Sequence, residues 1–210
     1  MPTPTKHRPR TKPPETRRDE LMSAAERLFL SEGVAATTIE QITSAADVAK
    51  GTFYLYFSSK DDVLAALADR FGQKLLEKIK TAVTKEPAEN WNGKLETWAA
   101  ACVAGYLDSI QLHDILFYGS RPAKRDGLVD NIVIDHLAAL LEAGVNAKAW
   151  SLDDPHFTAV FIFRGLHAVV DDAYLKEKRV NRARLSHRAQ QLCSRAVAPT
   201  ESGTPPAARD

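Results

Sequence analysis

Cysteine is nearly missing from this chain: two occur in 210 residues, Cys102 and Cys193, with no short C-x-x-C spacing. That leaves no basis for a disulfide framework or a structural zinc site. No apolar run reaches the ~18–20 residues needed to cross a bilayer. The opening stretch, MPTPTKHRPRTKPPE, lacks the apolar segment of a secretory signal, so a cytoplasmic protein is expected. An excess of one charge sign is lacking too. With 28 Lys and Arg against 27 Asp and Glu, the net charge is +1, and bulk electrostatics announces no polyanionic partner. Residues 17–60 carry five bases against six acids. There is no Ser/His/Asp order, no glycine-rich phosphate loop and no metal motif, so neither an enzyme nor a cofactor is expected.

What the chain does have is helical periodicity from end to end, with no convincing strand and no repeat. Two hundred residues can bury a substantial core. Apolar positions at helical spacing predict helices over about 16–31, 58–84, 90–110, 112–118, 126–143, 156–176 and 181–197, besides two short ones between 37 and 57. Asp154-Pro155 is a helix start, with Asp as N-cap and Pro at the first position. The helix from Ser58 or Ser59 keeps Val63, Leu64, Leu67, Phe71, Leu75 and Ile79 in register, and would be about 35 Å long. The ends differ in character. Residues 1–14 hold five of the eleven prolines and the bases Lys6, Arg8, Arg10 and Lys12, which predicts a disordered basic tail, either solubilising or an arm that touches nucleic acid. Residues 199–210, TESGTPPAARD with its preceding proline, read as a second disordered tail.

The most informative stretch is TTIEQITSAADVAKGTFYLYFSSK, residues 37–60. Thr37-x-x-Glu40 and Thr38-x-x-Gln41 both have capping-box spacing, so a helix should begin there. A break is expected at Ala46-Asp47-Val48, because Asp tolerates a left-handed conformation, and a second helix resumes from Ala49 to about Leu55. At 100° per residue, Phe53 points inward while Gly51 and Leu55 fall on the opposite side. A glycine there suits the close approach of something bulky. Lys50, Thr52, Tyr54, Tyr56 and Lys60 supply cations and hydroxyls of the kind that hold phosphates. The residues alone leave two readings open, a DNA-reading head or an ordinary helical hairpin with a solvated face.

The run AAERLFLSEGVAATTIEQITSAADVAKGTFYLYFSSKDDVLAAL closely resembles the DNA-binding domain of TetR-family transcriptional regulators, over roughly residues 16–70. Helix 1 ending in EG, the double Thr, the turn, K-G-T-F-Y-x-Y-F and S-K-D-D-V-L come in order. Asp47 stands where the family commonly has glycine, and Ala49 where it commonly has serine. The resemblance implies an all-α protein: a three-helix helix-turn-helix domain over 15–75, with the motif at about 38–57, joined by a long helix to a helical effector-binding and dimerisation domain over 76–198. It implies a repressor of transcription that binds a pseudo-palindromic double-stranded DNA operator as a homodimer. Thr37, Thr38, Tyr54, Tyr56 and Lys60 would hold phosphates, while Lys50, Gly51, Thr52 and Leu55 would face the bases.

For the second half, the helix over 156–176 is apolar on more than one face and so needs cover on more than one side. The resemblance implies that helices of about 155–176 and 181–197 form a four-helix interface with their copies, and that a small-molecule effector binds among the middle helices. Trp98, Cys102, Tyr106, Phe117, His136, Phe161, Arg164 and His167 are the candidate pocket residues, aromatics with a few polar groups. Any helical core contains the same types, and Arg164, His167 and Asp171, sharing a face by spacing, would equally form a satisfied buried network. His167 and Asp171 lack further ligands in sequence, so no metal site is expected. A regulator controlled by a protein partner, an activator and a helical carrier without a DNA role stay open as alternatives.

Overall fold

The computed structural model describes residues 13–117, 132–177 and 179–197. Among these every regular element is a helix: α1 (Pro14–Glu32), α2 (Ile39–Ala45), α3 (Lys50–Phe53), α4 (Lys60–Val83), α5 (Trp91–Asp108), α6 (Ile110–Phe117), α7 (Ile132–Asn146), α8 (Pro155–Lys176) and α9 (Arg182–Val197). The expected tails, and the first residues of the helix expected from Asp126, lie outside the described residues.

The chain divides into two compact units. The first takes residues 13–69 together with 111–117, and the second takes 70–110 with the described residues from 132 onward. The division falls inside α4, and the segment after Ile110 groups with the N-terminal helices. The sequence places the boundary near residue 75, with 76–198 as the second domain. Hydrophobic spacing marks a helix but not the unit its stripe packs into.

In the first unit, α1 begins at Pro14, whose fixed φ suits a first helical position, and stops at Gly33 with φ +83°. It buries Leu21, Met22, Ala24, Ala25 and Phe29. Ile42, Phe53, Phe57, Val63, Leu64 and Leu67 are buried in the same unit.

In the second unit, Leu95, Trp98, Cys102 and Tyr106 of α5 are buried along one stripe, as the spacing predicts. Two polar pairs set α5 and α9 antiparallel: Arg182 donates to Asp108 at 2.7 Å, and Ser194 Oγ donates to Glu96 at 2.8 Å. Asp108 also receives Lys78 of α4 at 3.7 Å, and the Arg182 guanidinium holds its carboxyl below the usual range. Asn90 caps α5 by accepting from Gly93 N–H at 3.0 Å, and Asp154 caps α8 by accepting from Phe157 N–H at 2.8 Å. Trp150 lies across the end of α7, its Nε1 donating to the Leu141 carbonyl at 2.9 Å. α8 turns Ala159, Ile162, Phe163, Leu166 and Val170 into the core. Phe157, Phe161 and Val169 remain on the outside, so one helix carries two apolar faces.

Candidate nucleic-acid interface

The interface starts from the backbone left over where α1 ends. The carbonyls beyond Gly33 have no helical partner, and an unpaired buried carbonyl is costly. Two side chains take them. Thr37, fully buried, donates from Oγ1 to the Gly33 carbonyl at 2.8 Å. Lys60, the first residue of α4, donates from Nζ to the Val34 and Thr37 carbonyls, both at 2.7 Å. These bonds bear on two expectations. The Thr37 hydroxyl is sealed inside and turned away from a phosphate, while Lys60 is half-buried and the loop carbonyls take two of its three ammonium donors. Both residues hold the entry to α2 in place.

Thr38 is the N-cap of α2. Its Oγ1 accepts from Gln41 N–H at 3.2 Å, and Gln41 Oε1 accepts from Thr38 N–H at 2.7 Å, so the capping box is complete. Thr38 is exposed, unlike its neighbour. At the other end of α2, Thr43 Oγ1 donates back to the Ile39 carbonyl at 3.0 Å, and Val48 N–H closes onto the Thr43 carbonyl at 3.0 Å. Asp47 sits between them with φ +52°, the left-handed turn that its side-chain type predicts.

α3 follows as a single turn, Lys50–Phe53, shorter than the Ala49–Leu55 helix read from the sequence. Tyr54 to Tyr56 continue as turn, yet Phe57 N–H still bonds to the Phe53 carbonyl at 3.0 Å, so the two rings, four residues apart, stay on one inward face. They are fully and almost fully buried, with ring centroids 5.7 Å apart. The burial of Phe53 forces the other side out. Leu55 is 79 % exposed, Tyr54 is 53 % exposed and Gly51 is exposed, with no heavy atom within 4 Å of where its Cβ would stand. The protein's own packing does not require glycine there; the space in front of the helix stays open. Thr52 and Tyr56 are half-buried on the flanks. Lys50 is exposed and forms a short ion pair with Glu40 of α2. Its hydrogen bond lowers the Glu40 carboxyl below its ordinary value and raises the Lys50 ammonium. Sequence reasoning missed Glu40 as part of this surface by assigning it to a capping box with Thr37. Its outward position, two residues before the buried Ile42, was the available signal.

The turn into α4 is also closed by side chains. Asp62 accepts from Ser58 N–H at 2.9 Å, and its own N–H donates to Ser59 Oγ at 3.2 Å, so the expected box reaches one residue further back than its usual form.

Of the pocket candidates in the second unit, five come together around α5. Trp98 Nε1 donates to His136 Nδ1 at 3.2 Å. Tyr106 OH donates to Asp171 Oδ1. His167 lies against both Tyr106 and Phe163, with ring centroids 4.8 Å and 4.2 Å apart, and its Nδ1–H donates to the Phe163 carbonyl at 2.9 Å. Burial pushes both His136 and His167 below the ordinary imidazole value, so they are neutral. Cys102 is buried beside them, and burial pushes its thiol up to about 12, which keeps it inert as a nucleophile.

The remaining three candidates fall elsewhere. Phe117 belongs to the first unit, 45 % exposed, with its ring against His113. Phe161, 69 % exposed, and Arg164 point outward from α8. The inward row of α8 runs through Ile162, Phe163, Leu166 and Val170, which leaves 161 and 164 on the far side. Arg164 is thus exposed on that side, its guanidinium 5.9 Å from the Phe163 ring centroid. Among the described residues, no group of three or more His, Cys, Asp or Glu is placed to hold a metal ion, and no helix is long and apolar enough to cross a membrane.

A capped helix, a left-handed turn and a one-turn helix with an open outer face define a helix-turn-helix domain, here carried by a chain with a second helical unit. Residues 21–67 match the model of bacterial regulatory proteins of the tetR family, and this part of the chain is a TetR-family domain. The regulator HbdR from Aromatoleum sp. (strain CIB) is 48 % identical over 50 residues, 24 % of this chain and 22 % of that protein. The chain spans about a fifth to a third of the length of the curated relatives it matches, which are named HTH-type transcriptional regulators rather than enzymes. The likeness of fold extends much further. A solved structure of the fatty acid degradation regulator FadR from Bacillus halodurans has a TM-score of 0.69 at 24 % identity, covering 88 % of this chain and 97 % of that one. RolR, solved in complex with resorcinol, gives 0.64 at 21 % identity and 89 % of each chain. At such identities these two establish the fold alone, which is that of the TetR-family structures.

Proposed function

We propose that this protein is a sequence-specific DNA-binding transcriptional repressor that acts as a homodimer and is released from its operator by a small molecule. The observation that carries the DNA-binding part is the outward set Gly51, Tyr54 and Leu55 on α3 and the turn that follows it, a segment whose other side is locked by Phe53 and Phe57. An exposed leucine and tyrosine beside a glycine with open space before it is an expensive surface for a protein to present to water alone. It suits a major groove, where Leu55 meets a thymine methyl and Gly51 admits the groove edge. Thr38, Tyr54 and Tyr56 are the hydroxyls placed for phosphates, with Thr52 on the flank.

The homodimer reading rests on α8 and α9. Phe161, Gly165, Val169 and Leu192 line an open groove of ≈ 680 Å³ between them, with Arg188 and Arg195 also on its walls. Phe157 and Phe161 are 68 % and 69 % exposed. A second copy covers such a face, and a two-fold arrangement gives two reading helices for a pseudo-palindrome. For the effector part, Trp98, His136, Tyr106, His167 and Asp171 form a polar-aromatic cluster in which Trp98 bonds to His136, Tyr106 to Asp171, and His167 to the Phe163 carbonyl. That satisfied cluster favours, as a second reading, a regulator that answers to a protein partner or to no effector.

Binding of the purified full chain to the duplex upstream of its own gene, over a salt series and with an unrelated duplex as control, tests the proposal. The expected result is a Kd of ~10⁻⁸ M or tighter on one duplex and weak, salt-sensitive binding to the other. Tyr54→Ala removes a phosphate contact in each protomer, and a loss of about 100-fold is expected with folding and dimerisation intact. Unchanged operator binding by Tyr54→Ala would show that α3 is not the reading helix.

A further inference from the structure

We infer that Glu40 and Lys50 act together as a base-reading pair that selects a C·G base pair in each half-site, Glu40 accepting from the cytosine N4 amino group and Lys50 donating to the guanine. The inference rests on the DNA-binding reading above and deepens it.

The two side chains come from different helices, Glu40 from α2 and Lys50 from α3, yet their tips meet in an ion pair while remaining 61 % and 54 % exposed. Lys50 adjoins Gly51, whose outer side is open. A duplex approaching that side therefore meets a carboxylate as well as an ammonium. The carboxylate is repelled by phosphates and loses water on contact, and this loss is offset only by donors. Lys50 supplies one. The DNA backbone supplies none, since phosphate oxygens only accept. In the major groove the donors are the exocyclic amines of cytosine and adenine. Cytosine suits the pair better, because its partner guanine presents O6 and N7 side by side, the usual target of a lysine. A Glu–Lys pair of matching polarity thus meets a donor and two acceptors within one base pair.

The surrounding charge points the same way. Residues 38–62 carry two lysines, Lys50 and Lys60, against four acids, Glu40, Asp47, Asp61 and Asp62. The Lys60 ammonium is held by backbone carbonyls. Lys50 is then the exposed cation of this stretch, and its carboxylate partner lowers the stretch's attraction to phosphate. An acid on the reading face works by excluding wrong bases.

Selection of duplexes from a randomised pool by the full-length protein, the Glu40→Ala variant and the Glu40→Gln variant tests this, with circular dichroism confirming that each is folded. The wild type is expected to enrich C·G at one symmetric position per half-site. Glu40→Ala should lose that preference by about 5- to 100-fold, the discrimination of one good base contact. It should also bind an unrelated duplex more tightly, because a repulsive charge is gone. Glu40→Gln should shift the same position toward A·T, since a carboxamide pairs with adenine N6 and N7. If Glu40→Ala enriches the same half-site with the same discrimination, the pair does not read a base and the inference is overturned. If the wild type enriches no sequence at all, the DNA-binding reading itself falls, and the inference with it.

Discussion

Two lysines ten residues apart, Lys50 and Lys60, show how much a single side chain's surroundings decide. In sequence they are alike, both beside the aromatic run and both suited to phosphate. In the structure Lys50 is exposed and paired with Glu40, whereas Lys60 is half-buried with its ammonium on the Val34 and Thr37 carbonyls. Lys60→Met removes both bonds and leaves two carbonyls without their donor, so it should cost about 1–3 kcal/mol of stability, read from the urea midpoint. Lys50→Met should leave that midpoint where it is and act on DNA binding alone. Thr37 and Thr38 divide in the same way, one sealed under the loop and one capping α2 in the open. Capping-box spacing marked both, and only burial separates them.

At the scale of the element, helix positions were largely legible because caps and periodicity are local. The N-caps Thr38, Asn90 and Asp154 and the left-handed Asp47 are where their side-chain chemistry puts them. The length of α3 was not legible. Its helical pattern extends to Leu55, but after one turn the Leu55 and Tyr56 N–H groups bond three residues back, to the Thr52 and Phe53 carbonyls, and the α-helix stops. Contacts between elements are set by close approaches that no periodicity reveals. At Gly144 of α7, an added Cβ would stand 2.1 Å from Cζ2 and 2.3 Å from Cε2 of Trp150. The indole is a rigid ring, 4 % exposed, with its Nε1–H anchored on the Leu141 carbonyl. Gly144→Ala should therefore destabilise the protein by about 1–3 kcal/mol through overpacking, despite the higher helix propensity of alanine. A thermal melt showing Gly144→Ala at or above the wild type would contradict that packing.

For the whole molecule, two properties follow from what the second unit buries and what it leaves out. His136 and His167 are neutral because burial lowers their pKa. In the unfolded chain they titrate near ~6.5. Below that value the unfolded chain takes up more protons than the folded one, so stability falls as pH drops through and below about 6.5. The melting temperature should be lower at pH 5.5 than at pH 7.5, and His167→Gln should reduce the difference. On the outside, the exposed Phe161 on α8 carries the dimer proposal. Phe161→Glu places a charge in an interface between copies, while in a monomer the position is 69 % exposed and the charge keeps most of its water. Sedimentation should show the variant shifted to monomer with its helix content intact, and an unchanged dimer would remove this face from the interface.

The all-helical character, the helix starts, the reading stretch 37–60 and its TetR-type pattern were determined by the sequence itself, because they depend on contacts within a few residues of chain. Burial of Phe53 with exposure of Gly51 and Leu55 was legible for the same reason: the geometry of one helical turn dictates it. Only the tertiary structure decided that Thr37 and Lys60 serve the backbone, that Glu40 joins Lys50, and that Phe161 and Arg164 leave the cluster around Tyr106. Each of these turns on which partner lies across from a side chain, and the long-range packing of one helix on another supplies that partner.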